Sequence, residues 1–427
     1  MSSGLILLIL FALMMVFGVP IAISLAFSSI ITVALSGQFQ VMALIHRMIG
    51  NANSYTLLAI PFFILAAKFM NTGGITRRLF RGATAWVGFI PGGLGHANVV
   101  ASVIFSGMSG SAVADAGGLG QIEIQAMKED GFDSEFSAAV TAASATIGPI
   151  IPPSVPMVVY GMMTEVSVGA LFMGGFLPGI TLAIAMSILV YFMAVKRNYP
   201  RRKFDWKEVL DASKDSFLSM LTPIIIIGGI WGGIFSPTEA AVVAVGYSFI
   251  LSVLVYKEMG AKHLWEEIKQ AAIDSAVILF IICGAAAFSW LVAMMGVTDV
   301  LSNWLVSLTN NKYLVLLIIN IIFLILGMFM EALSVMTITV PFLIPLMGAY
   351  GLDPIHLGVV IVLNLMIGLV TPPVGTSLFI CARQAKISIE AMYKAILPFL
   401  IPLIAVLFLI TYVPQIVMLI PNSMLGT

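Results

Sequence analysis

The sequence predicts an all-α polytopic membrane protein made of two inverted repeats, each with a re-entrant helical hairpin and a broken transmembrane helix. Of 427 residues, 60% are hydrophobic and 9% charged, with mean hydropathy +1.09. Soluble domains carry roughly 25% charged residues, and a membrane β-barrel would show short alternating segments instead of long apolar runs. Two Pro-Pro pairs interrupt apolar runs, at Thr146-Ile147-Gly148-Pro149-Ile150-Ile151-Pro152-Pro153-Ser154 and at Ile367-Gly368-Leu369-Val370-Thr371-Pro372-Pro373-Val374. Gly148 and Gly368, like Pro152 and Pro372, stand 220 positions apart. A proline lacks an N–H and clashes with the carbonyl four residues back. The carbonyls of Gly148 and Pro149, and of Gly368 and Leu369, therefore lose their helical partners. Bare carbonyls at membrane depth persist only where protein, water or an ion satisfies them.

The same shift aligns Gly131 with Gly351, Asp133 with Asp353, and Leu177-Pro178 with Leu397-Pro398. With small gaps, Gly74-Ile75-Thr76 resembles Gly296-Val297-Thr298, and Pro20 resembles Pro237. Residues 1–58 read as scaffold helices and an arm of repeat 1, and 59–180 as its transport region, with a hairpin at 92–127 and a broken helix at 134–163. Residues 181–275 give scaffold helices, a cytoplasmic loop and the arm of repeat 2. Residues 276–400 give its transport region, with a hairpin at 311–348 and a broken helix at 355–382. Residues 401–427 read as a C-terminal helix.

Met1-Ser2-Ser3-Gly4 lacks the positive charge of a signal peptide and leads straight into apolar residues. Residues 5–18 therefore read as a retained span, and 5–36 as a short hairpin turning near Gly18-Val19-Pro20. Residues 40–58 and 260–275 are amphipathic, as interfacial arms are. Arg77, Arg78 and Arg81, the run from Lys196 to Lys203, and Lys257, Lys262 and Lys269 mark cytoplasmic loops. Two short or tilted helices must then fit between about 220 and 256. Ser236-Pro237-Thr238-Glu239 turns between them as a capping box, which makes Glu239 a cap. Weakly charged flanks around the second hairpin (Asp299, Asn310 and Lys312; Tyr350 and Asp353) read as external, so the second repeat is inverted.

Inverted repeats with discontinuous helices place ion and substrate sites near the midplane. Helix C-terminal ends offer carbonyls and partial negative charge, which suits a hard cation such as Na⁺. Each sodium site pairs a hairpin tip with a break. Ser106, Gly107, Ser109, Gly148 and Pro149 form one set; Gly327, Met328, Gly368, Leu369 and Thr371 form the other. Ser154 offers a further hydroxyl. Helix N-termini favour an anion, and an organic carboxylate fits near Ser111, Ser154, Gly375, Thr376 and Ser377. Glu331 and Asp115 are the charges on the hairpin tips, and an ionised group at depth is functional by default. For Asp115 the structural reading is a cap or an intra-hairpin bond. Gly117-Gly118 and Gly120 read first as close helix packing.

Ser109-Gly110-Ser111-Ala112-Val113-Ala114-Asp115, the two breaks and Thr371-Pro372-Pro373-Val374-Gly375 resemble the large membrane subunit of tripartite ATP-independent periplasmic (TRAP) transporters. The resemblance spans almost the whole chain. It implies a multi-pass protein of the bacterial inner membrane, working as an elevator-type secondary transporter coupled to two or more Na⁺. It also implies a small four-span membrane subunit and a soluble periplasmic substrate-binding protein as partners, and no organic cofactor. Residues 1–4 leave no room for an N-terminal fusion to that subunit. Substrates implied are carboxylates, C4-dicarboxylates or sialic acid, with sialic acid favoured on general likeness and no single residue.

Net charge is zero, which argues against a nucleic-acid partner. Cys283, Cys381 and the four histidines form no metal motif. Gly107-Met108-Ser109-Gly110 with His356 offers an intramembrane serine protease as a rival. A channel and a carboxylate symporter without a binding protein are others. The protease needs Ser109 and His356 within hydrogen-bond reach.

Overall fold

The computed structural model describes residues 3–37, 39–298, 300, 307 and 309–426, without the side chains of 107–109 and 425. Among the described residues the chain is helical, and eight helices are long and apolar enough to cross a membrane. Helices α1 (Ser3–Val16) and α2 (Ile21–Ser36) form the expected short hairpin, with Gly18 at φ +76° in its turn. The arm α3 (Val41–Ala52) ends at Asn53-Ser54, residues that favour caps and turns over helix interiors. A 3-10 turn then leads into α4 (Ala59–Thr72), and Gly73-Gly74 precedes the amphipathic α5 (Ile75–Val87).

The first hairpin is α6 (Gly93–Ser109) followed by α7 (Ala112–Gly117) and α8 (Leu119–Glu129). Its tip turns through Gly110 at φ +61°. The first broken helix consists of α9 (Ser134–Ser144), a 3-10 turn, and α10 (Val155–Thr164), with Pro152-Pro153 in the gap. Next come α11 (Val168–Arg197), α12 (Trp206–Trp231) and α13 (Pro237–Phe249). The space problem between 220 and 256 disappears because α12 begins in the polar stretch at 206. The capping box is present: Ser236 N–H donates to Glu239 Oε2 (2.8 Å) and Glu239 N–H to Ser236 Oγ (3.3 Å).

The second arm differs from expectation. Residues 260–275 are not a separate element, because α14 (Ala261–Met294) runs through them into the following apolar run without a break. Asp274-Ser275 stands at that junction, but Ser275 Oγ donates back to Ala271 O within the helix (2.6 Å) and Asp274 pairs with Lys68, so the helix continues. The second hairpin is α15 (Lys312–Phe329) and α16 (Ala332–Tyr350). The second broken helix is α17 (Pro354–Gly368) and α18 (Thr376–Ala385). The expected helix 401–427 is also corrected: α19 (Ile389–Tyr412) ends before Val413-Pro414, and α20 (Gln415–Leu425) follows. Asp299, taken as a flank, lies outside the described residues.

The two broken helices run antiparallel, as inverted repeats require. Tyr160 OH, late in the first, donates to Pro354 O at the start of the second (2.8 Å). Lys128 Nζ, just ahead of the first, donates to Ala385 O at the end of the second (2.8 Å). The halves are thereby exchanged: α18 packs on the first hairpin, and α10 packs on the second. Outside this core, α4 packs chiefly on α13 and α14. Ser252 Oγ donates to Phe69 O (2.9 Å), and Lys68 pairs with Asp274 (2.9 Å). Where α9 begins, Tyr199 OH and Arg197 both donate to Asp133. Burial, and then that carboxylate, push the Tyr199 hydroxyl up to about 12, so it stays a neutral donor at ordinary pH.

Candidate functional site

Each break closes on a hairpin tip. At the first, Val155 N–H donates to Gly110 O (3.4 Å), and a Cβ on Gly110 would stand 2.7 Å from Pro153 O. At the second, Gly375 N–H donates to Met328 O (3.2 Å). There the backbones of Gly327 and Gly368 touch: a Cβ on Gly368 would lie 2.6 Å from Gly327 C. Only a residue without a side chain permits that approach.

The released carbonyls fare differently in the two breaks. Pro152 and Pro153 have no N–H for Gly148 O and Pro149 O, and Ile151 N–H goes to Ile147 O (3.1 Å). In the second break, Thr371 N–H reaches Gly368 O (3.0 Å) and Ser377 N–H reaches Leu369 O (3.2 Å). Each carbonyl retains a second lone pair for a cation. Thr371 Oγ1 donates to Ile367 O (2.6 Å) and Ser106 Oγ to Val103 O (2.6 Å). The Ser109 side chain lies outside the described residues, as do any side-chain contacts beside Gly107. The Asp115 carboxylate sits against Gly148, 2.2 Å from where a Cβ would be. That contact is absent from the sequence reading, which left Asp115 between cap and ligand.

A cavity of about 790 Å³ lies where the pieces meet. Ser111, Pro149, Leu369, Glu331 and Ser334 line it from the hairpins and breaks. From the other side come Pro20 at the start of α2, Lys68 and Asn71 on α4, and Asp274 on α14. Ser111 and Glu331 are both N-caps, of α7 and α16: Ala114 N–H donates to Ser111 Oγ (3.4 Å) and Ser334 N–H to Glu331 Oε2 (3.3 Å). The anion-favouring ends of two helices thus face the cavity. Ser154, Gly375, Thr376 and Ser377 do not line it. Ser154 is fully buried, and its Oγ accepts from Met157 N (3.2 Å). Ser377 is equally buried behind Leu369.

Lys68, Asn71 and Asp274 were not anticipated. An ionisable residue inside an apolar helix was the available signal, but their convergence on one cavity is a matter of packing. A second feature was also missed. Asn98, on α6, donates to Glu123 Oε2 and Thr141 Oγ1 (2.7 Å each) and accepts from Ser144 Oγ (2.6 Å). In the other repeat Asn364 donates to Asn320 Oδ1 (2.8 Å), and Asn320 to Thr411 Oγ1 (3.0 Å). Ser144 and Asn364 occupy equivalent positions 220 apart. Each hairpin is thus tied to its broken helix by a buried asparagine. Gly118 and Gly120 serve close packing, against Asn71 and Thr141, but a Cβ on Gly117 would meet nothing within 4 Å.

His356 is buried at the far end of α17 from the break, with its Nε2 bonded to Ile410 O (2.8 Å).

Residues 8–416 match the family described as "Tripartite ATP-independent periplasmic transporter, DctM component". The chain belongs to this family. Among its relatives is the sialic acid TRAP transporter large permease protein SiaM of Vibrio cholerae, 42% identical over 96% of both chains. The sialic acid TRAP transporter permease protein SiaT of Haemophilus influenzae is 41% identical over 99% of this chain and 69% of that one. The C4-dicarboxylate large permease DctM of V. cholerae is 38% identical over 97% and 96%. The crystal structure of the Alcanivorax borkumensis YdaH transporter shares the fold, with a TM-score of 0.64, 13% identity, and 87% and 88% coverage. The chain is thus a TRAP large permease, a multi-pass protein of the bacterial inner membrane and not an enzyme.

Proposed function

We propose that this permease imports an organic acid, sialic acid first among candidates, by sodium-coupled elevator transport. A soluble binding protein delivers the substrate, and a small four-span subunit flanks the scaffold. One observation carries the reading: both hairpin tips and both helix breaks converge on a single cavity. The N-cap Ser111 marks a helix end suited to a carboxylate, the other such end being capped by the Glu331 carboxylate, and Lys68, paired with Asp274, lies opposite. The carbonyls of Gly148, Pro149, Gly368 and Leu369, at the two breaks, suit Na⁺. Two ions, one per break, would more than offset the single charge of sialic acid and couple its movement to the sodium gradient. The hairpins and breaks form the moving body; α2, α4 and α14 belong to the scaffold. Sialic acid is favoured because the relatives at 42% and 41% identity are named for it, against 38% for a C4-dicarboxylate relative.

The test is uptake into proteoliposomes holding the permease with its small subunit. Labelled sialic acid and succinate are offered on a binding protein, with and without an inward Na⁺ gradient. Sialic acid uptake that requires both sodium and binding protein is the expected result. Succinate uptake alone would reassign the substrate. Uptake without the binding protein would make the chain an autonomous symporter.

A further inference from the structure

We propose that a corner on the cytoplasmic side of this permease binds an anionic phospholipid, with the phosphate in a basic cleft and an acyl chain in an adjoining groove. The cleft has a volume of about 240 Å³ and is lined by Arg77, Arg81, Arg202 and Lys203, against two acidic side chains, Asp205 and Glu208. The lining alone therefore carries two more basic than acidic side chains, before the acids just outside it are counted. Arg81 is held by Glu208 and Asp215 (3.1 Å each), and Arg77 by Glu258 (3.0 Å). Lys203 makes no ion pair among the described residues, and Arg202 reaches Asp130 only at 3.9 Å. The lining also includes Thr84, whose side chain is 7% exposed and whose Oγ1 has no hydrogen-bond partner. A buried hydroxyl without a partner costs about 1–3 kcal/mol. A phosphate oxygen in the cleft would accept its proton.

The groove begins on the other side of the same turn. Gly88 and Phe89 line the cleft, whereas Val87 and Ile90 line a groove of about 660 Å³. Val99, Val103, Ile184 and Ile188 make its walls almost wholly apolar. It opens between α6 and α11, both apolar helices of the membrane-embedded part. Phe89, Phe204 and Trp206 stack edge to face at 5.3 and 5.1 Å along the rim. All three are well exposed, as aromatic side chains at a membrane interface are. Basic pockets between membrane helices on the cytoplasmic side suit acidic lipid headgroups. Free phosphate would use the cleft and leave the groove empty. Cleft and groove flank the same turn at residues 87–90, which favours one molecule with both an anionic head and a tail.

Native mass spectrometry of the purified full chain, with phosphatidylglycerol and phosphatidylcholine as probes, tests this. A cationic side chain near a membrane surface contributes about fivefold in affinity for acidic lipid. Arg202→Gln with Lys203→Gln should thus weaken phosphatidylglycerol retention about twentyfold. Both side chains are exposed, so circular dichroism should show the fold kept. Ala183→Trp, which fills the groove, should also weaken retention, and millimolar inorganic phosphate should not displace the lipid. Equal retention of phosphatidylcholine, or an unchanged affinity in the charge variant, overturns the proposal. Displacement by phosphate with no effect of Ala183→Trp would make the cleft a free-anion site. Loss of the lipid on adding the small subunit would give the groove to a protein partner.

Discussion

At the residue scale, the tightest constraint is the meeting of two glycines. A Cβ on Gly368 would press on the Gly327 backbone at 2.6 Å, where no side chain can swing away. On Gly327 the same addition meets Gly368 Cα at 3.3 Å, a contact that a small shift relieves. Gly368→Ala should therefore lose sodium-driven uptake by about tenfold or more, the equivalent of about 1.4 kcal/mol. Gly327→Ala should lose less. Equal losses in sodium-activation curves would count against the close contact as the cause. Glu331 offers a second prediction. As a cap it needs only an acceptor, which Gln also supplies. As a charge in the cavity it has no such substitute. Glu331→Gln is expected to keep expression and lower uptake about tenfold. Normal uptake would return Glu331 to capping alone. Lys68→Met should raise the concentration of loaded binding protein needed for half-maximal uptake, with little change in Na⁺ dependence.

At the element scale, polar bonds inside an apolar bundle hold each hairpin to its broken helix. Leaving a buried amide without its partner costs about 1–3 kcal/mol, a sizeable share of the roughly 5–15 kcal/mol that stabilises a typical domain. Asn320→Leu should lower the melting temperature in detergent, and so should Asn364→Leu. The double variant should cost less than their sum, since the two share one hydrogen-bond network. Strict additivity would show that the bond contributes nothing. The matched residues Asp133 and Asp353 show how repeats diverge locally. Asp353 caps α17, with Ile355 and His356 N–H groups donating to it (2.8 and 3.0 Å). Asp133 instead accepts from Arg197 and Tyr199 and ties α9 to the end of α11.

At the scale of the whole molecule, the two repeats are interlocked rather than side by side. Each lends half of its broken helix to the hairpin of the other, so the hairpins and breaks form one body. The proposed elevator movement of that body predicts a simple block. With Cys283 and Cys381 replaced, a thiol cross-linker joining Ile64→Cys on α4 to Val113→Cys on α7 should stop uptake, because both line the cavity from opposite sides. Cleaving the linker should restore it. Undiminished uptake in the linked protein would remove the basis for relative movement.

Much of this architecture was legible because it depends on local chemistry. Proline pairs break helices wherever they stand, glycine permits tight turns, and a repeat of 220 residues is visible without any contact. The convergence of tips and breaks followed from the repeat. The placement of Ser154 and Ser377 did not: both begin helices as expected, but packing buries them behind the cavity wall. The opposite wall was equally hidden. Lys68, Asn71 and Asp274 come from segments about 200 residues apart, and nothing local to either brings them together. By itself, the sequence determined the class of protein, the two breaks and the carbonyls that the proline pairs deprive of a helical donor. Tertiary structure alone decided which helix ends face the cavity and which charges look back at them, because that depends on how distant helices pack.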